Sequence, residues 1–202
     1  MKKNKYFQTL QAMNKIRKIV SNHANIDIKI PQMVVIGDQS SGKSSLLTEL
    51  TGVPFPVKSG TTTRRPIVVT TSYSDKSGHT YYKTDNDGKE VLITEIEKEL
   101  NCTQDVKFFT ETAVHLRASG KDLMDLTLID LPGIIHNGLN YEEQKKVIRM
   151  IKKYIAPEQT LILVAVEASK DEETQLALSL ARKFDPKGLR TFRILTKFDH
   201  FD

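Results

Sequence analysis

The run Gly37-Asp38-Gln39-Ser40-Ser41-Gly42-Lys43-Ser44-Ser45 fits the spacing G-x-x-x-x-G-K-[ST]. The chemistry of that pattern is phosphate binding. The backbone N–H groups of such a loop wrap phosphate oxygens, and a helix starting near Lys43 adds its partial positive charge. Lys43 is expected to reach the β- and γ-phosphates, and the Ser44 hydroxyl to bind Mg²⁺. The rival reading is a Gly/Ser turn that arose by chance. The preceding apolar run, Met33-Val34-Val35-Ile36, argues against it, because a strand must lead into such a loop. Asp38, Gln39, Ser40, Ser41, Gly42, Lys43, Ser44 and Ser45 are therefore the expected nucleotide-binding residues of this segment.

A second motif selects the base. Thr196-Lys197-Phe198-Asp199 follows the apolar run Phe192 to Leu195. A carboxylate at Asp199 can accept from the N1–H and 2-amino group of guanine. Adenine offers neither donor and would leave a buried carboxylate unpaired, which a hydrogen-bonding site rejects strongly. The aliphatic stem of Lys197 can lie along the base. Thr196, Lys197, Asp199 and Asp202 make up the expected base-side set.

The third motif lies between these two. Leu126-Thr127-Leu128-Ile129 reads as a buried strand that ends in Asp130-Leu131-Pro132-Gly133. Asp130 is expected to hold Mg²⁺ through a water, and the Gly133 N–H to touch the γ-phosphate or position the attacking water. An acidic residue opening a Pro-Gly turn is the bland alternative. The order phosphate loop, D-x-x-G, T-K-x-D is what GTP binding requires.

These residues need a frame. Phe7, Leu10, Met13, Ile16 and Ile19/Val20 recur three or four apart, the spacing of an amphipathic helix within residues 1–25. Pro31 breaks the chain before the first strand. A helix is expected from Lys43 to Leu50, ended by Gly52 and Pro54. Residues 55–66 read as loop, Ile67 to Tyr73 as a strand, and 74–90 as a hairpin or flexible insertion. Glu90 to Asn101 reads as a helix and Thr112 to Arg117 as a strand. A helix over 141–155 has an apolar side of Val147, Ile148, Ile151 and Ile155. Thr160 to Val166 is a continuous apolar run, the pattern of a strand buried on both faces. Ser169 or Asp171 is expected to cap a helix that runs through Phe184. Strands alternating with helices indicate an α/β sheet covered on both sides, with its ligand beyond the strand C-terminal ends.

Composition sets outer bounds. A chain of 202 residues with 39% hydrophobic and 27% charged content is one ordinary domain with a sizeable core. The net charge is +5. The clearest basic cluster is Lys2, Lys3, Lys5, Lys15, Arg17 and Lys18. It reads as a solvated helix face, and no nucleic-acid partner is expected. Cys102 is the only cysteine, so no disulfide can form within one chain, which suits a reducing cytoplasm. No stretch approaches 18 consecutive apolar residues. The five histidines show no metal-ligand spacing. The adjacent pairs Glu142-Glu143 and Glu172-Glu173 read as helix starts, not as acid/base partners.

With the three motifs assembled, the chain resembles the GTPase domain of the dynamin superfamily, nearest to dynamins and Mx proteins. The phosphate loop with its Gln39-Ser40 pair, the segment Ser59-Gly60-Thr61-Thr62-Thr63-Arg64-Arg65-Pro66, the stretch Asp125 to Ile134, and Phe184-Asp185-Pro186-Lys187-Gly188 with Arg190-Thr191 carry the likeness. It covers roughly residues 5–202. Phe198 occupies a variable position of the fourth motif, and the segment after Gly133 is shorter than in dynamins. The resemblance implies a P-loop GTPase fold, mostly parallel with helices on both faces, over residues 26–202. It implies that the fifth guanine motif, the last strand and helices, and any membrane-binding part belong to a larger protein.

By resemblance, Gln39 and Ser40 orient the nucleophilic water and help hold K⁺ or Na⁺ beside the phosphates. Thr63 contacts Mg²⁺ and positions water, with Ser44 and Asp130 as the other metal residues. Gly133 is the second-switch glycine. Gln39, Ser40, Thr63 and Gly133 are thus the expected catalytic residues. A homodimer through the GTPase face is implied, with Asp171 near the contact and no arginine finger. Arg64 and Arg65 are structural. The helix of residues 1–25 resembles an element of a small bundle completed from elsewhere in the protein; the alternative is a helix that packs on its own domain. The expected activity is hydrolysis of GTP to GDP and phosphate in the cytoplasm, peripheral to membranes in the full-length protein. The expected coupling is to self-assembly and membrane remodelling. The alternative is a GTP-dependent interaction module with little hydrolysis.

Overall fold

The computed structural model describes residues 32–55, 63–75, 78–84, 89–104, 108–121, 123, 125–135, 140–169 and 175–197. The N-terminal helix expected within residues 1–25, and Asp171, Phe198, Asp199 and Asp202, lie outside the described residues.

The described chain runs β1 (Gln32–Gly37), α1 (Lys43–Thr51), β2 (Ile67–Tyr73), β3 (Thr80–Thr84), β4 (Glu90–Ile93) and α2 (Ile96–Gln104). It continues with β5 (Val114–Gly120), β6 (Leu126–Asp130), α3 (Tyr141–Ile155), β7 (Thr160–Glu167), α4 (Leu176–Phe184) and β8 (Thr191–Thr196). The strands form one sheet in the order β4-β3-β5-β2-β6-β1-β7-β8. β6, β1, β7 and β8 are mutually parallel. β2 runs antiparallel to β6, and β5 runs parallel to β2. β3 and β4 complete the far edge in antiparallel pairing. The fold is α/β with a mostly parallel sheet.

The central strands are apolar throughout because both faces are covered. Val34 and Ile36 point one way, with Ile129, Ile162 and Val164, under Val147 and Ile151 of α3 and Leu178 of α4. Val35, Leu128 and Leu163 point the other way, with Ile67 and Val69, under Leu47 of α1 and Leu100 of α2. The period-two alternation assigns each strand residue to a layer.

Three expected elements change. Glu90–Ile93 is a strand, and the helix begins only at Ile96. Val91-Leu92-Ile93 favours extended structure and finds a partner in β3, with Leu92 opposite Tyr82. Arg117 of β5 stacks 5.0 Å over the Tyr82 ring and pairs with Glu90 at 2.6 Å. β5 spans Val114–Gly120, not Thr112 to Arg117, because its ladder with β2 continues to Gly120. α4 begins at Leu176 with Gln175 as its N-cap. Ser169 instead donates to Glu167 Oε1 at 3.4 Å.

Candidate functional site

β1 delivers the chain into a tight loop. A Cβ on Gly37 would lie 2.3 Å from Ser41 Oγ and 2.8 Å from the Ala165 carbonyl of β7, so only glycine fits. Ser40 (φ 61°) and Gly42 (φ 82°) both take the left-handed conformation and fold the loop back on itself. The Ser41 N–H donates to the Asp38 carbonyl at 3.2 Å. Gly42 is the N-cap of α1, and no side chain caps that helix end. Such an end presents N–H groups and a partial positive charge to an external anion.

Lys43 is buried at the start of α1. Its Nζ donates to the carbonyls of Gly37 (3.2 Å) and Asp38 (2.9 Å). Burial lowers its pKa to about 8, against the opposing pull of Asp130 and Asp38. The segment after β6 closes against the same loop. Gln39 N–H donates to the Ile134 carbonyl at 2.8 Å, and Ile134 N–H to the Gly37 carbonyl at 3.1 Å. A Cβ on Gly133 would sit 2.8 Å from Lys43 Nζ and 3.0 Å from Gln39 Cα. Gly133 therefore brings bare backbone beside both groups.

Asp130, the last residue of β6, is fully buried. The Thr63 hydroxyl donates to its Oδ2 at 3.0 Å. Its Oδ1 has no hydrogen-bond partner among the described residues. Burial raises its pKa to about 6, with Lys43 and the Thr63 hydroxyl pulling it back down. A buried carboxylate oxygen in this state is a seat for a cation or for a water bound to one. Magnesium suits this donor set. It is commonly held by one or two carboxylates or hydroxyls plus substrate phosphates and waters, without an all-protein cage. Among the described residues no cluster of three His, Cys, Asp or Glu forms such a cage.

Thr63 reaches Asp130 because β2 is antiparallel to β6. The register pairs Ile67 with Asp130, so the chain entering β2 starts at the end where β6 finishes. Arg65 is held away, its Nε donating to the Thr112 carbonyl at 3.1 Å. The structure thus brings Gln39, Lys43, Thr63, Asp130 and Gly133 to one end of the sheet.

The side chains of two residues expected at the nucleotide bond the protein. Thr196 Oγ1 lies 2.8 Å from the Ser41 carbonyl and 3.2 Å from the Val166 carbonyl, fastening β8 to the phosphate loop. Asp38 Oδ1 accepts the Ala177 N–H of α4 at 3.3 Å. Lys197 takes a left-handed φ of 58° just past β8. Its Nζ lies 3.4 Å from Glu167 Oε2 at the end of β7.

A family model described as "Dynamin family" matches residues 33–198, from β1 through the Thr196-Lys197 segment. The chain belongs to the dynamin family. It is similar to the interferon-induced GTP-binding protein MxA of Danio rerio, at 36% identity over 100% of this chain and 34% of that protein. It is also similar to the interferon-induced GTP-binding protein Mx1 of Ovis aries, at 37% identity over 87% of this chain and 29% of that protein. The corresponding protein Mx2 of Mus musculus is 37% identical over 87% and 28%. The chain spans about a third of the length of these curated relatives.

Motif spacing does not reveal Glu167 and Ala177 beside the loop, nor Arg190 at the opposite end of the sheet. Arg190 Nη1 donates to the carbonyls of Ile155 and Thr160, and Nη2 to that of Phe184, each at 2.9 Å. Arg190 thereby ties the ends of α3 and α4 to the start of β7. The flanking carboxylate of Asp185 accepts from Thr191 Oγ1 at 2.7 Å, and from the N–H groups of Leu189 and Arg190. The only signal for this knot was the Asp185 to Thr191 stretch, which marks a turn without naming its partners.

Proposed function

We propose that this chain binds GTP with Mg²⁺ and hydrolyses it to GDP and phosphate. The observation that carries the reading is the convergence of Lys43, Asp130, Thr63 and the bare Gly133 backbone at the uncapped start of α1. The family supports it, since its relatives are named as GTP-binding proteins.

Phosphoryl transfer needs positioning and charge neutralisation more than a strong base. Lys43 and the loop N–H groups hold the β- and γ-phosphate oxygens. Ser44, Thr63 and Asp130 are the residues that would hold Mg²⁺. When bound, the metal neutralises charge on the same phosphate oxygens. Gln39, Thr63 and the Gly133 backbone position the attacking water. Asp199, with Lys197 against the base and Asp202 nearby, reads guanine. Thr196 and Asp38 serve by holding the loop in place.

The finer assignments rest on the family resemblance. K⁺ or Na⁺ beside Gln39 and Ser40 supplies further positive charge. A homodimer across the nucleotide face fixes the switch loops. In the whole protein, hydrolysis is coupled to self-assembly and membrane remodelling, in the cytoplasm and at membrane surfaces through other segments. Nucleic acid is not a partner.

The test is calorimetric titration of the chain with the GTP analogue GMPPNP and Mg²⁺, with AMPPNP as the competitor. Binding of GMPPNP that Lys43→Ala abolishes and AMPPNP fails to match is the expected result. Asp199→Asn should shift preference towards xanthosine nucleotides, since an acceptor becomes a donor. Equal affinity of wild type and Lys43→Ala would sink the phosphate-loop assignment.

A further inference from the structure

We propose that Asp38 is a positioning residue that ties the phosphate loop to the N-terminus of α4 and transmits the loop's occupancy to that helix. The inference rests on the reading that this loop holds phosphate.

The two halves of Asp38 belong to different parts of the fold. Its backbone is part of the loop. Its carbonyl accepts from Lys43 Nζ at 2.9 Å and from Ser41 N–H at 3.2 Å, and it forms a parallel bridge with Ile134. Its side chain belongs to α4, accepting the Ala177 N–H at 3.3 Å across 139 residues of sequence.

The N-cap residue of helix α4 does not cap it with its side chain. That residue is Gln175, in extended conformation. Asp38 fills that role from outside. Its negative charge also suits the helix N-terminus. Both partners are buried, so water does not readily replace the bond. Ala177, Leu178 and Ala181 are packed into the core layer shared with β1 and β7. The first turn of α4 is therefore held on one side by packing and on the other by a loop residue. A phosphate that draws Lys43 away from the Asp38 carbonyl changes the hold on Asp38. The change reaches Ala177 through the Asp38 side chain.

The experiment is amide hydrogen exchange on the full chain, without nucleotide and with GMPPNP·Mg²⁺. Asp38→Ala should speed exchange at Ala177 about fivefold in the nucleotide-free chain, the change one lost cap corresponds to. It should also abolish the exchange change that GMPPNP·Mg²⁺ produces at Ala177, and weaken that nucleotide by a similar factor. Asp38→Asn keeps the acceptor oxygen and should behave as wild type in all three measurements.

Gln175→Asn in the Asp38→Ala background separates tie from mere stability. It gives α4 a cap of its own, so protection at Ala177 should return while the nucleotide response and affinity do not. Recovery of affinity in that double variant would reduce Asp38 to a helix stabiliser and overturn the proposal. So would an Asp38→Asn as defective as Asp38→Ala, which would show that an acceptor oxygen for the Ala177 N–H is not what the side chain supplies. If GMPPNP·Mg²⁺ bound no form of the chain, the phosphate reading would fail and the transmission role with it. Unchanged Ala177 exchange in nucleotide-free Asp38→Ala would remove the tie alone, leaving nucleotide binding intact.

Discussion

The Thr63 hydroxyl donates a 3.0 Å hydrogen bond to Asp130 Oδ2, joining residues 67 positions apart. One lies in the loop before β2 and the other at the end of β6. Their meeting is a product of the antiparallel β2–β6 pairing, which puts Ile67 opposite Asp130. It brings a hydroxyl and a carboxylate, two hard oxygen donors, to the place where Lys43 and Gly133 also converge.

Thr63→Ala should spare nucleotide affinity and slow hydrolysis. The lost contact acts where the γ-phosphate and water must be aligned, and one such contact in an active site is worth on the order of 10²-fold in rate. Single-turnover hydrolysis beside calorimetric GMPPNP binding separates the two effects. A wild-type rate would mean that Thr63 serves only to hydrogen-bond Asp130.

Nucleotide binding should be strongest between about pH 6 and pH 8. Asp130 is raised by burial from 3.8 to about 6, so its contribution to stability is full below 3.8 and is lost as pH rises through 6. Lys43 is lowered by burial from 10.5 to about 8, so its contribution is full above 10.5 and is lost as pH falls through 8. Between those values both groups are charged, and the ligand-free chain bears the cost of two buried charges. Mg²⁺ and phosphate meet those charges, so the rise in Tm on adding GMPPNP·Mg²⁺ should peak there. Outside the window affinity should fall about tenfold per pH unit as one charge disappears. Asp130→Asn should remove the acidic limb while leaving the alkaline one. A flat profile in the wild type would contradict both assignments.

Gly37→Ala should destabilise the fold by roughly 1–3 kcal/mol, the range for forcing a methyl group into a filled space. The new Cβ would meet Ser41 Oγ at 2.3 Å and the Ala165 carbonyl at 2.8 Å. Adding Ser41→Ala removes only the first clash, so the double variant should recover part of the loss. Urea unfolding midpoints read both. Full recovery would show that the β7 carbonyl can move aside.

Arg190→Ala should cost about 2–4 kcal/mol. It removes three charge-assisted hydrogen bonds to the carbonyls of Ile155, Thr160 and Phe184. Arg190→Lys should restore only a fraction, because an ammonium cannot reproduce the planar fork. Unfolding in urea would measure the loss. Complete rescue by lysine would mean that charge alone holds the ends of α3 and α4 together.

Much of the architecture is readable in the sequence. The central strands follow from continuous apolar runs such as Met33-Val34-Val35-Ile36. The start of α1 at Lys43 and its end at Gly52 follow from local backbone needs, since Gly42 and Gly52 take left-handed φ values of 82° and 65°. These features are encoded within a few residues, because glycine conformation and side-chain direction depend on near neighbours. The boundary between β4 and α2 was not readable, because Val91-Leu92-Ile93 also satisfies a helical pattern until β3 supplies a ladder.

Partnerships at long range belong to the tertiary structure alone. Motif spacing places Thr196 and Asp38 at the nucleotide but does not tell that their side chains fasten β8 and α4 to the phosphate loop. The sequence determined that Lys43, Asp130 and Gly133 border or lie in loops that follow apolar strands. The parallel pairing of β1 with β6 and β7 puts those loops at one end, and only the antiparallel pairing of β2 with β6, which no motif announces, adds Thr63 to them. The physical reason is that an apolar strand pairs acceptably with many neighbours. The choice among them is made by the simultaneous packing of both core layers, which no single segment encodes.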